Sequence, residues 1–222
     1  MVPNDASPIP NLVLASASPA RRALLESLGM SPEVYPTDID ETPHPGERPR
    51  DLVRRLSHTK CAAARAGHPP PGTGGGVGET GPIDGRPMLA PVVIAADTVA
   101  DVDGEILGKP GDDDEAMRML QALSGRSHHI HSGITVGYGE AAITEVDTTT
   151  VTFRVLSSED IAQYVAAGEA RGRAGAYGIQ GRGGLFVERI EGSYPAVVGL
   201  PLHLVDACTR QLGWPLTTWI QP

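Results

Sequence analysis

The chain is poor in the residues that staple a fold, span a bilayer or coat another macromolecule. Its only cysteines are Cys61 and Cys208. They lie far apart in apolar, helix-like surroundings, without the density of a disulfide scaffold or the paired spacing of a zinc site, which fits a reducing compartment. Aromatic residues make up 4% of the sequence, so the core must be aliphatic. Cations are in deficit, with 18 Lys and Arg against 27 Asp and Glu and a net charge of -9. This argues against a broad nucleic-acid or membrane-binding surface. No run approaches the ~18 apolar residues of a membrane span, and Met1 to Pro10 lacks a basic start followed by an apolar stretch of signal length. The expectation is a cytoplasmic protein that meets any anionic ligand with a few well-placed basic residues.

What the chain has in quantity is glycine and proline, 27 and 20 residues. Part of that excess lies in one segment, 68–87, HPPPGTGGGVGETGPIDGRP. It has almost no apolar residues and reads as a flexible surface insertion, because it cannot bury enough to offset its ordering entropy. The remainder of 1–222 is expected to form a single domain.

Leu12 to Ala15 is a short apolar run leading into Ser16-Ala17-Ser18-Pro19, after which Ala23, Leu24, Leu25 and Leu28 recur at helical spacing. Ser18 suits the N-cap, Pro19 the first helical position and Gly29 the stop. Asp51 to Ala66 reads as an amphipathic helix. Val92 to Ala96 reads as a buried strand that ends abruptly on Asp97-Thr98. Asp103-Gly104 marks a hairpin within Val99 to Leu107. Asp112 caps a helix with acids in its first turn that ends near Ser124-Gly125. Ile130 to Tyr138 and Ala142 to Val155 are expected to pair as antiparallel strands. Ser157 and Ser158 open a helix over Glu159 to Ala167. A glycine-dense loop from Gly172 to Gly184, a strand from Leu185 to Ile190 and a last helix from Pro201 to Leu212 complete a mixed α/β order.

Four groups of residues could carry chemistry. Ser16, Ser18 and Arg21 at a helix start can bind phosphate through hydroxyls, N–H groups and a guanidinium, although a plain serine cap with surface arginines reads equally well. Asp38, Asp40 and Glu41 with Asp97 are hard oxygen ligands of the kind that hold Mg²⁺ or Mn²⁺ beside substrate phosphates; the first three also read as a solvated acidic turn. Asp97, a lone acid after five apolar residues at an α/β strand end, reads as functional. Lys60, Lys109 and Arg126 sit near element boundaries and can match the charge of a triphosphate, or serve as surface cations. Ala174 to Gly181 needs a backbone that approaches something closely, but does not follow the GxGxxG order of a dinucleotide fingerprint.

In order along the chain, Leu14-Ala15-Ser16-Ala17-Ser18-Pro19 with Arg21, Asp38-Ile39-Asp40-Glu41, Thr59-Lys60, Ala95 to Val99, Gly108-Lys109-Pro110, Leu123 to Arg126, Ala174 to Gly181, and Ser193-Tyr194 with Val198 to Pro201 resemble the Maf (septum-formation inhibitor) family. The resemblance implies a house-cleaning nucleoside triphosphate pyrophosphatase with a tie to cell-division arrest. It implies an elongated mixed α/β sheet with two lobes flanking a cleft, similar to inosine triphosphatases, a divalent metal cofactor and a homodimer. Carried over by position, Asp97 is the catalytic acid, assisted by Lys60 and Lys109. Glu41 and Asp97 hold the metal, and Ser16, Ser18, Arg21, Thr98, Arg126 and Gln180 bind substrate. The Thr98 and Gln180 pair resembles the branch acting on dTTP and UTP, while Ala20 stands where that branch carries a first arginine. Two other readings stay open: a non-enzymatic nucleotide-binding regulator, and the same chemistry on modified purine triphosphates.

Overall fold

A computed structural model describes residues 8–68 and 89–220. Apart from His68, the segment read as an insertion lies outside them. Among the described residues, no helix is long and apolar enough to cross a membrane.

One seven-stranded mixed sheet organises the molecule. Its strands are β1 (Leu12–Ala15), β2 (Glu33–Val34), β3 (Val92–Val102), β4 (Glu105–Leu107), β5 (Ser127–Tyr138), β6 (Ala141–Phe153) and β7 (Val187–Glu191). The order is β2-β1-β3-β5-β6-β7, with β4 pairing beside β3. β1 runs parallel to both of its neighbours, and the remaining pairings are antiparallel. Helix α2 (Pro49–Gly67) lies on one face, where it packs Cys61 and Ala64 against Val13, Ala15, Val93 and Ala95. It can lie this close because β5 offers glycines beneath it. A Cβ on Gly133 would stand 2.3 Å from the Val53 carbonyl oxygen, and one on Gly137 would stand 2.9 Å from the Cys61 sulfur. The opposite face is covered by α1 (Pro19–Glu26), α5 (Tyr194–Val198) and α6 (Leu202–Gln211), which bury Leu25, Leu200, Val205 and Cys208 against Leu12, Leu14, Ile94 and Ala96.

A second core forms at the far ends of the long strands. Ala100, Val102, Ile130, Val151 and Phe153 pack with α3 (Asp113–Leu123), α4 (Ser158–Ala166) and the loop residues Ala176, Tyr177 and Phe186. β3, β5 and β6 therefore run through both lobes as continuous ladders.

The expected strand end at Asp97 is corrected: β3 continues five residues further, to Val102. The apolar run stops at Ala96, but pairing with β5 does not, and Asp97 lies opposite Gly133 inside that ladder. What ends near Asp97 is the other neighbour. β1 pairs with β3 only as far as Ala15 opposite Ala95, and β4 takes over at Leu107 opposite Ala100. Among the described residues, the edge of β3 from Ala96 to Val99 is consequently free of a strand, and a cleft between the two cores opens there. The last strand starts later than expected, at Val187, because Arg182–Phe186 coils into a 3-10 turn. Helix α5 has too little length for a periodic pattern; Ser193 caps it, accepting from the Ala196 N–H.

Candidate active site

The cleft has a volume of about 720 Å³. Its walls include Ser16, Ser18 and Arg21 from the β1–α1 connection, Glu41, Lys60 from α2, Asp97 and Thr98 from β3, Lys109, and Gln180 from the glycine-rich loop. Residues scattered over most of the chain thus meet at the open edge of β3.

The pleat of β3 sorts them. Successive side chains on a strand point to opposite faces, so Asp97 follows Val93 and Ala95 toward α2, while Thr98 follows Ile94 and Ala96 toward α1 and α5. On the α2 face, the Lys60 ammonium donates to Asp97 Oδ1 at 2.6 Å and pairs with Glu41 Oε1 at 2.6 Å. Asp97 and Lys60 are both buried, each 7% exposed, and Glu41 is not. Lys109, itself exposed, reaches to 3.8 Å from Glu41 Oε2. Burial works against the Glu41 carboxylate, but the hydrogen bond from Lys60 and the charges of Lys60, Lys109 and Arg21 outweigh it and hold its pKa below the usual range.

The turn that carries Glu41 is built by its neighbours. Asp40 accepts from the Thr42 N–H at 2.9 Å, an Asx turn, and Ile39 packs against Leu52, Val53 and Leu56 of α2. Arg55 of α2 grips the following loop through both Glu47 oxygens, at 2.7 Å each, and through Thr42 O. Asp38 and Asp40 are exposed and do not line the cleft. Of that acidic run, only Glu41 turns inward.

On the other face, Arg21 is spent on the protein itself. Its Nε donates to Gly199 O at 2.8 Å, Nη1 to Ala96 O at 2.9 Å and to Ser16 Oγ at 3.0 Å, and Nη2 to Thr98 Oγ1 at 3.1 Å. Four of its five N–H groups are thereby used, one of them on the carbonyl of the free β3 edge. Burial lowers its pKa, while Asp97 and Glu41 pull it back up. Ser16 Oγ also accepts from the Ser18 N–H, and Ser18 Oγ caps α1 by accepting from the Arg21 N–H. The serine-rich helix start is therefore largely satisfied from within.

Thr98 is held in the same lattice. Ser132, fully buried on β5, gives its single hydroxyl proton to Ala196 O at 2.7 Å. In its 2.9 Å contact with Thr98 the threonine must then be the donor. Thr98 accepts from Arg21, has Ser132 Oγ at 2.9 Å and Gly199 O at 3.4 Å as acceptors for its one proton, and keeps one lone pair.

Arg126 does not join the group. It pairs with Asp103 at the β3–β4 turn and lines no part of the cleft. In its place the second lobe brings Arg171 and Arg173 to the wall. Sequence reasoning passed over both, although an Arg-Gly-Arg directly before the glycine run was a signal. It also missed Ser132, whose link to Thr98 depends on strand register (Thr98 opposite Ser132) and has no local signature.

The carboxylates suit a small hard cation. Among the described residues, no three His, Cys, Asp or Glu side chains cluster as a closed metal cage. Asp97 and Glu41 converge instead on one point, the Lys60 ammonium, and one or two carboxylates beside an open cleft is the donor set with which Mg²⁺ binds together with substrate phosphates.

The family model described as "Maf-like protein" matches residues 11–212. A dTTP/UTP pyrophosphatase of Chromobacterium violaceum is 42% identical over 205 residues, covering 92% of this chain and 96% of the relative. Proteins of the same description are similar from Anaeromyxobacter dehalogenans, 43% identical and covering 96% and 99% of the two chains, and from Shewanella oneidensis, 44% identical and covering 91% and 96%. Among solved structures, the Staphylococcus aureus Ham1 protein matches at 16% identity with a TM-score of 0.38, over 64% of this chain and 70% of that one.

Proposed function

Because this chain belongs to the Maf-like family, we propose that it hydrolyses nucleoside triphosphates to the monophosphate and pyrophosphate, with dTTP and UTP as substrates. The observation that carries the reading is the Lys60 ammonium held at 2.6 Å from both Asp97 and Glu41, at the one edge of β3 left open to the cleft. The family resemblance and the relatives' names supply the substrate class.

In this reading Asp97 acts on water. Lys60 holds its Oδ1, and Oδ2, without a partner among the described residues, orients the water and takes its proton. The water oxygen attacks the α-phosphorus, the bond from that phosphorus to the bridging oxygen breaks, and pyrophosphate departs with the electron pair. Lys60 and Lys109 face the charge that builds on the phosphate oxygens, which is the main demand of phosphoryl hydrolysis. A divalent cation held by Asp97 and Glu41 would supply Lewis-acid stabilisation of those oxygens. Thr98, with its proton directed at the protein acceptors Ser132 Oγ and Gly199 O, offers an acceptor, which complements the N3–H of a uracil or thymine ring. Gln180, from the glycine-rich loop, also lines the cleft, with an amide that can both donate and accept.

Arg21 is then chiefly the frame for Thr98 and Ser16, leaving one N–H for substrate. Arg126 has no part in the reading. A homodimer belongs to it, supported by the family resemblance and by two exposed apolar residues, Val155 and Leu185, on adjoining segments of the second lobe; light scattering tests that point. The activity is tested by incubating purified protein with dTTP, UTP and modified purine triphosphates in Mg²⁺ or Mn²⁺ and measuring pyrophosphate. Fastest release from dTTP or UTP is expected. Silence under every metal would favour a nucleotide-binding regulator, and best turnover on a modified purine would overturn the pyrimidine assignment.

A further inference from the structure

The charge of the cleft is unfinished without its second lobe. A triphosphate carries about four negative charges near neutral pH, and the first lobe meets it with cations already engaged. Lys60 is shared by two carboxylates, Lys109 reaches toward one of them, and Arg21 has given four N–H groups to protein acceptors. Where the helix start could have added a cation, the wall is Ala20.

Across the cleft stands Arg173. Of the cleft-lining cations, it alone has neither an ion pair nor a side-chain hydrogen bond among the described residues; its neighbour Arg171 is paired with Asp113. Arg173 is nonetheless placed. Its side chain lies against Gly178, where an added Cβ would meet Cζ and Nε at 2.9 Å and Cδ at 3.2 Å. Gly178 is in turn fixed by its N–H donating to the Tyr164 hydroxyl at 3.0 Å. The backbone beneath is reversed by positive φ at Gly175 and Ala176, so the loop returns past the arginine. A long cation seated on glycine, facing a cleft with its donors unused, is arranged to meet an anion bidentately.

We propose that Arg173 is a substrate-binding cation that grips the pyrophosphate portion of the substrate from the second lobe. The inference rests on the triphosphate reading above and extends it to the residue that joins the lobes across the substrate. Binding closes the charge balance that the first lobe leaves open, and it places the guanidinium on the oxygens of the leaving group.

The test uses the intact protein and two probes, inorganic tripolyphosphate and UMP, titrated as ligands and as inhibitors of pyrophosphate release. Arg173→Ala should weaken tripolyphosphate about ten- to hundredfold, the range for losing hydrogen bonds to a charged group, and leave UMP affinity within about twofold. The Tm should be unchanged, since the side chain is exposed and makes no ion pair or hydrogen bond among the described residues. Arg173→Lys should restore part of the lost affinity. Equal weakening of both probes would mean that Arg173 only props the Gln180 loop, and an unchanged tripolyphosphate affinity would mean that it faces no phosphate; either result overturns the inference. Failure of wild-type protein to release pyrophosphate from any triphosphate would instead defeat the functional reading, because tripolyphosphate binding is measured without turnover.

Discussion

Asp97 and Thr98 are neighbours in one strand, yet they belong to two differently built walls of one cleft. Toward α2, Asp97 enters a cluster of full charges in which one ammonium serves two carboxylates and a second lysine stands exposed nearby. Toward α1 and α5, Thr98 enters a lattice of neutral acceptors filled by a single guanidinium and a buried serine. The charged wall can exchange partners when substrate or metal arrives. The neutral wall has little left to exchange. One is built to react and the other to hold shape, and the pleat of β3 separates the two roles over a single peptide bond.

The largest expected effect breaks the charged wall without disturbing the other. Asp97→Asn keeps size and one acceptor but removes the basic lone pair, so turnover should fall by ~10²–10⁴-fold. Lys60 keeps Glu41 as a partner, and stability should stay within about 1 kcal/mol of the parent. Pyrophosphate release and urea denaturation on the same variant check both halves. Turnover within about tenfold of wild type would remove Asp97 as the base and make Glu41 the next candidate.

Arg21→Lys should do the reverse. A lysine cannot reach four acceptors in the fork geometry of a guanidinium, so some of Gly199 O, Ala96 O, Ser16 Oγ and Thr98 Oγ1 would lose the Arg21 donor. A stability loss of about 2–4 kcal/mol is expected, seen as a lower urea midpoint at constant m-value. If that variant kept full stability but failed to bind nucleotide, Arg21 would belong with the reacting wall, and the contrast would collapse.

The second lobe offers a third test of what is frame and what is chemistry. His128 is buried between Phe153 and Tyr177, with Nε2 2.9 Å from the Tyr177 hydroxyl and Nδ1 without a partner among the described residues. Burial, with a smaller push from His129, drives its pKa down to about 4. The unfolded chain then binds a proton below pH ~6.5 that the folded chain refuses until about 4. Stability is complete above the higher value and falls through that window as pH drops, by up to about 3 kcal/mol. In His128→Gln the difference between the two proteins should shrink with falling pH. Parallel stability curves from pH 7 to 4 would show that the imidazole is not kept neutral.

How much of this was legible depends on how local each cause is. Helix starts could be read because a cap is decided within four residues, as at Ser18, Asp112 and Ser157, each of which accepts from the N–H three positions on. The hairpin could be read for the same reason, Asp103 and Gly104 both taking positive φ. The glycine loop was read correctly as a place of close approach: Gly178 receives Arg173 and Gly181 the Glu169 carboxylate. The end of β3 was misread because strand length is set by pairing with β5, some thirty residues on. The role of Ser132 depends on register, which leaves no spacing in the sequence; Arg173 had a local signal in Arg171-Gly172-Arg173, but its facing the cleft depends on packing between lobes. Of the acidic run Asp38 to Glu41, the pattern could not say which carboxylate turns inward; Ile39 packing under the loop decides it.

The smallest effect concerns the three cations that sequence placed together. By pattern alone Lys60, Lys109 and Arg126 all sit near element boundaries and are equivalent, but the structure corrects this for Lys60, which lies inside α2, running from Pro49 to Gly67. The fold separates them by what each can touch. Lys60 is buried between the two acids, Lys109 leans over Glu41, and Arg126 is tied to Asp103 on the outer side of the hairpin. Both members of that last pair are well exposed, 47% and 72% at the side chain, so solvent and salt screen the attraction and its removal should cost no more than about 0.5 kcal/mol. Arg126→Ala should therefore leave kcat, KM and tripolyphosphate affinity within about twofold of wild type, while Lys60→Ala, which strands two carboxylates, should lower kcat/KM by ~10²-fold or more. Measured side by side at low and moderate salt, the two variants ask whether proximity in fold or in sequence assigns a cation to the substrate. A tenfold rise in KM for Arg126→Ala would place that arginine on the phosphates after all, and would require the hairpin to swing over the cleft when substrate binds.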